Sequence, residues 1–168
     1  SNEFGNLIQR TLSMAWKNCE QQVPKVSLSF QEADKKLMST SLSLLPKLKE
    51  CVKETQALHE YAALIWTLVT DSNKYIDEQA PWTLRKTNPQ RMEVVLYTLI
   101  ETFRTLGILL QPLIPEAAEK LLDMLSIPPN QRTFFYLSEE YAIESHTPLP
   151  QPKALFPRIE DPLEKEGF

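Results

Sequence analysis

Glycine, cysteine and histidine are all scarce in this 168-residue chain, and each shortage closes off a class of chemistry. With three glycines, Gly5, Gly107 and Gly167, no GxxxxGK[ST] or GxGxxG loop exists to cradle phosphates, which excludes a nucleotide-hydrolysing domain. The only cysteines, Cys19 and Cys51, and the only histidines, His59 and His146, show no CxxC or HExxH spacing, so no set of convergent metal ligands or catalytic partners is visible. Both cysteines are expected as reduced, buried thiols on the apolar stripes of separate helices, which fits a cytoplasmic compartment. Both histidines read as structural or solvent-facing. No apolar run approaches the roughly 20 residues needed to cross a bilayer, so no membrane role is expected. The N-terminus shows no basic, apolar and small-residue series of the kind that marks a signal peptide. Acid pairs such as Glu139-Glu140 and Glu160-Asp161 have nothing around them in sequence to bury them, and read as solvated surface.

What is present is an ordinary globular composition, 42% apolar and 24% charged, in a chain long enough to bury a core without staples. The net charge of −4 argues against a protein coated for non-specific nucleic-acid binding, since such proteins neutralise many phosphates. A local RNA site remains compatible with it. Thirteen prolines against three glycines predict few hinges and many helix ends fixed by proline.

Phe4, Leu7, Ile8, Leu12, Ala15, Trp16 and Cys19 recur at helical spacing and predict a first amphipathic helix ending before Pro24. Opposite them Asn6, Arg10, Ser13 and Lys17 fall in one solvent-side stripe. The stretch from Phe30 to about Thr55 is helical in propensity, and Pro46 is expected to split it into two pieces. From about Ala57 to Gln79 the apolar face is broad, with Tyr61, Ile65, Leu68 and Ile76 among its residues, as befits a central helix. Pro81 should stop that helix at Ala80 and leave Trp82 in the following turn. Further helices are predicted from Pro89 to Pro112 and from Pro115 to before Pro128. Prolines 148, 150, 152 and 157 favour an extended surface strap. The expected fold is all-α: an antiparallel bundle of about five long helices over 1–126, then an irregular Pro-rich C-terminal extension over 127–168. That extension should pack on the bundle or on a domain missing from this chain. Trp16, Trp66, Tyr75 and Ile76 are assigned to packing.

The run Asn73-Lys74-Tyr75-Ile76-Asp77-Glu78-Gln79-Ala80-Pro81-Trp82 resembles the NKYIDEQAPW block in the anticodon-binding domain of methionyl-tRNA synthetases. Asn6-Leu7-Ile8-Gln9-Arg10 is similar to the NLxxR segment of that domain's first helix. Pro112-Leu113-Ile114-Pro115 is similar to its PxxP joint, and Leu155-Phe156-Pro157-Arg158-Ile159 to its terminal LFPRI. The resemblance spans essentially the whole chain, least clearly at 25–55 and 127–147.

It implies that Trp82, Asn6 and Arg10 receive the CAU anticodon of methionine tRNA, with Trp82 stacking on the first base, a cytosine. Lys17, Asn73, Asp77, Pro81 and Arg85 are candidates for supporting or phosphate contacts: Lys17 continues the stripe, Arg85, Lys86 and Arg91 follow Trp82 closely enough to neutralise flanking phosphates, and Asp77 is expected to position the tryptophan turn or pair with a basic neighbour. The implied partners are the anticodon stem-loop of methionine tRNA and the catalytic domain of the same polypeptide. That parent would charge tRNA with methionine using ATP and magnesium, and many members carry zinc in the missing part. This chain holds no HIGH or KMSKS signature and no cysteine cluster, so no cofactor is expected in it and no activity from it alone. Two other readings fit the same helices: a protein-interaction scaffold, and the related helical domain of the leucine, isoleucine, valine or cysteine synthetases.

Overall fold

A computed structural model describes residues 3–52 and 57–152 of the chain. The LFPRI segment at 155–159, Pro157 and the Glu160-Asp161 pair lie outside the described residues. The fold is all-α, with five helices of ten residues or more and one short one: α1 Glu3–Asn18, α2 Glu32–Val52, α3 Leu58–Gln79, α4 Pro81–Thr87, α5 Pro89–Leu110 and α6 Pro115–Met124. Three single-turn 3-10 helices follow between Pro129 and Tyr141. Among the described residues no strand forms, and no helix is long and apolar enough to cross a membrane.

Helix α5 is the axis of the bundle: every residue from Thr102 to Leu110 is buried, and α1, α2, α3, α4 and α6 all pack against it. Its direction follows from two cross-links. The Tyr61 hydroxyl near the start of α3 donates to the Leu109 carbonyl at the end of α5, 2.6 Å away, while Gln79 at the end of α3 meets Arg91 in the first turn of α5. The two helices are therefore antiparallel. Helix α1 inserts Phe4, Leu7, Ile8, Leu12 and Ala15, all buried, and Phe4 meets Trp66 of α3 and Phe103 of α5 edge to face. Trp16 and Trp66 are half-buried against the core, as the stripe predicts. Gly107 is needed where α6 crosses α5, since a Cβ there would come within 2.7 Å of Leu122.

Pro46 does not split the second segment. Helix α2 runs unbroken through it, because Leu37, Ser41, Leu44, Leu48 and Cys51 form one continuous buried stripe on either side. Interior proline costs roughly 3 kcal/mol, and burying a leucine returns about 1.5 to 3 kcal/mol each, so the packed stripe carries the helix past an exposed proline. Trp82 is not in a turn either. It is the second residue of α4, a helix that Pro81 starts.

Cys19 lies just past the end of α1. It is buried, and burial together with Glu93 and Glu20 pushes its thiol up to about 12, far from a nucleophile.

With glycine so scarce, the chain reverses on other residues. Glu20 and Gln21 are both left-handed, at φ 57° and 61°, and turn the backbone into a pairing with the proline-rich segment. There Val23 N–H donates to Thr147, His146 N–H to Val23 and Leu149 N–H to Gln21, at 2.8 to 2.9 Å. The strap is thus fastened, and Leu149 is buried in the core rather than lying on the surface. Leu137 and Ile143 join the same core. Arg104 of α5, buried beside Glu101, donates to the Tyr136 and Ser138 carbonyls, and Glu101 accepts from Ile143 N–H at 2.8 Å.

Candidate nucleic-acid interface

Helix α3 ends at Gln79, and Ala80 alone separates it from α4. Ala80 sits in the left-handed region at φ 46° and ψ 61°. Its N–H donates to the Ile76 carbonyl, and its own carbonyl accepts from Thr83 N–H and Thr83 Oγ1. One residue therefore closes one helix and opens the next. Pro81, buried, occupies the first position of α4, where a missing N–H costs nothing. Trp82 follows with its side chain 42% exposed.

The Arg10 guanidinium lies over that indole, its Cζ 5.7 Å from the ring centroid. A cation on an exposed aromatic face is worth about 0.5 to 1 kcal/mol, enough to bias the pose of both side chains and weak enough to be displaced. Asn6 is exposed on the same stripe of α1, one turn before Arg10, about 6 Å along the helix axis. It does not cap α1, which already begins at Glu3. The structure thus brings Arg10 and Trp82 into contact from parts of the chain 72 positions apart, with Asn6 one helical turn from Arg10 on α1.

Among the remaining predicted residues, Lys17 is exposed in the last turn of α1, and Arg85 and Lys86 are exposed in the last turn of α4. Asp77 is exposed and makes no hydrogen bond or ion pair with the described residues. Asn73 is half-buried, with Nδ2 donating to the Val69 carbonyl at 3.4 Å. Tyr75 and Ile76 are core residues, as assigned.

Arg91 is a correction. Rather than a surface cation near Trp82, it is buried and committed to Asp34 by a two-pronged pair, Nη1 to Oδ2 at 2.6 Å and Nη2 to Oδ1 at 2.9 Å. A desolvated carboxylate at the start of α2 needs such a partner, and only a guanidinium offers the matching fork.

Sequence reasoning missed Asp34 altogether. Its Oδ1 also accepts from the Tyr75 hydroxyl and its Oδ2 from Gln31 N–H at 2.8 Å, while Arg91 Nη2 reaches on to Gln79 Oε1 at 2.8 Å. Burial alone would raise the Asp34 carboxyl; hydrogen bonds from Arg91, Tyr75 and Gln31, with the Arg91 charge, outweigh it and hold the group below its ordinary value. Burial first, and then Asp34, push the Tyr75 hydroxyl well above the usual tyrosine range. The one clue in the sequence was Tyr75 and Gln79 at i and i+4, a shared face with polar tips on an otherwise apolar stripe.

In chemical terms the exposed part offers an aromatic face, guanidinium donors and an amide carrying both donor and acceptor, with further cations within a helical turn or two. That set suits an unpaired base and its flanking phosphates.

Known proteins point the same way. The family model described as the anticodon binding domain of methionyl tRNA ligase matches residues 23–167. The methionine–tRNA ligase of Brucella suis is 42% identical over 158 residues, covering 94% of this chain and 30% of that protein. That of Mycobacterium tuberculosis is 39% identical over 171 residues, covering 99% of this chain, α1 included, and 32% of that protein. Among solved structures, the free Mycobacterium tuberculosis methionyl-tRNA synthetase aligns with a TM-score of 0.88 at 39% identity, over 95% of this chain and 32% of that one. The chain spans about a third of the length of the relatives it matches.

Proposed function

As a member of the family of methionyl-tRNA ligase anticodon-binding domains, we propose, this chain reads the CAU anticodon of methionine tRNA through Trp82, Arg10 and Asn6, on behalf of a parent that joins methionine to that tRNA using ATP. The observation that carries the reading is the exposed indole of Trp82 with the Arg10 guanidinium already against its ring.

The three side chains divide the work. Stacking an unpaired base on an aromatic ring is worth roughly 1 to 3 kcal/mol and discriminates weakly among bases. Selection therefore falls to hydrogen bonds. The pairing edge of cytosine presents two acceptors and one donor; Arg10 supplies donors, and the Asn6 amide or a backbone carbonyl supplies the acceptor. Uracil places a donor where cytosine has its central acceptor, which would set donors face to face in a desolvated contact. Lys17, Arg85 and Lys86 neutralise the phosphates on either side, which positions the strand without reading it. Asp77, exposed and without a partner among the described residues, is suited to accept from a base amino group or a ribose hydroxyl, while the buried Pro81 sets the start of the helix that carries the tryptophan.

Titrating the chain with a methionine anticodon stem-loop, followed by tryptophan fluorescence at several salt concentrations, tests the reading. Expected is binding that weakens steeply with salt and is largely lost when the first anticodon base is changed from C to U. Absence of binding would return the bundle to a protein-interaction scaffold, and indifference to that base would remove Arg10 and Asn6 from decoding.

A further inference from the structure

We infer that Gln79, through its hydrogen bond from Arg91, is a positioning residue for Trp82: the bond ties the end of α3 to the first turn of α5 and so fixes the segment 80–90 that carries the ring. The inference rests on the reading of Trp82 as the stacking residue.

Helix α4 is seven residues long, and Pro81 is its one buried residue. A helix that short has no stability of its own in water, so its pose is set by its packing on α5, where Leu84 meets the core, and by the two joints at its ends. At one joint stands Ala80, left-handed and next to Gln79. At the other stands Asn88, extended at φ −154°, whose Oδ1 accepts from Arg91 N–H at 3.2 Å and whose carbonyl accepts from Met92 N–H at 3.1 Å. The residues flanking the two joints, Gln79 and Arg91, are bonded to each other at 2.8 Å. The segment between them is therefore a closed loop with a polar clasp.

Arg91 is a fixed anchor for that clasp. Its side chain is buried, and Asp34 holds both prongs of the guanidinium while Tyr75 holds Asp34 in turn. Gln79 is the only member of the cluster directly next to the joint that swings α4. The NKYIDEQAPW run is legible in these terms: Tyr75 and Gln79 feed the cluster, Ala80 makes the reversal, Pro81 starts the helix and Trp82 presents the ring.

The test uses Gln79→Met, which removes the acceptor at similar volume and spares the Asp34–Arg91 pair, and Gln79→Glu, which keeps an acceptor for Arg91. Chains labelled with fluorotryptophan give one fluorine resonance each for Trp16, Trp66 and Trp82, the last assigned with Trp82→Phe. In Gln79→Met the Trp82 line should move or broaden while the other two hold, and the ratio of affinities for CAU over UAU stem-loops should fall roughly tenfold. Gln79→Glu should restore both. An unmoved Trp82 line, equal movement of all three lines, or a loss that Gln79→Glu does not repair would overturn the inference. The fluorine lines are read without RNA, so they judge the clasp even if the unsubstituted chain shows no preference for CAU and the reading of Trp82 itself fails.

Discussion

Two arginines show how differently one residue type is used within a single small bundle. Arg10 lies on the outside of α1 with its guanidinium over an exposed indole, held by about 0.5 to 1 kcal/mol of cation–π attraction and free to be exchanged for a ligand. Arg91 lies inside, its fork filled by Asp34 and a further Nη2 donor given to Gln79. The first is available because it is weakly held; the second is useful because it is not. On the proposed reading the two are complementary, a donor that can move and a frame that cannot.

The contrast can be broken in several ways, beginning with the largest effect. Arg91→Ala should lower unfolding stability by about 3 to 5 kcal/mol in urea titrations, because it strands a buried carboxylate; a loss as small as that of a surface arginine would erase the distinction. The same pair sets an acid limit. Since the folded Asp34 carboxyl titrates below its unfolded value of about 3.9, its stabilisation is present above that pH and lost as pH falls through the lower folded value. Unfolding midpoints measured from neutral pH down to about 2 should show this loss, and Asp34→Asn should flatten it.

Trp82→Ala should weaken stem-loop binding by roughly 1 to 3 kcal/mol with little change in melting temperature; a large drop in melting temperature with unchanged RNA affinity would assign the ring to packing. Arg10→Ala should cost no more than about 1 kcal/mol of stability, yet narrow the gap between cytosine and uracil at the first anticodon base. Equal weakening for every sequence would make it a phosphate contact. Smallest of all, Arg85→Gln should leave base preference untouched and reduce the salt slope of binding by about 0.7 for the phosphate contact removed.

Much of this was legible in the sequence because it is periodic. The buried faces of α1, α3 and α5, and the solvent stripe holding Asn6 and Arg10, follow from helical spacing alone, and the helix starts at Pro89 and Pro115 follow from proline chemistry. Pro81 carries that same start signal. It was outweighed by its other property, the restriction it places on the preceding residue, and so α4 was read as a turn. Pro46 misled for the opposite reason, since a local rule was overruled by a stripe of leucines whose burial is a tertiary fact. Arg91 was misplaced because its partner Asp34 is 57 positions away, and nothing local distinguishes an arginine that faces water from one that meets a carboxylate in the core. The region after α6, built from 3-10 turns around Arg104 and Glu101, has no period to read at all.

The single-residue joint at Ala80 has one more consequence. Each residue of an α-helix advances the direction of its side chains by about 100°, so adding or deleting one position there would turn the indole away from α1 while leaving both flanking helices intact. Loops elsewhere in a bundle can lengthen at small entropic cost; at this junction a change of length would also change the direction of the ring. Its length is a gauge: an insertion between Gln79 and Pro81 would carry the indole off the face of α1 that bears Arg10.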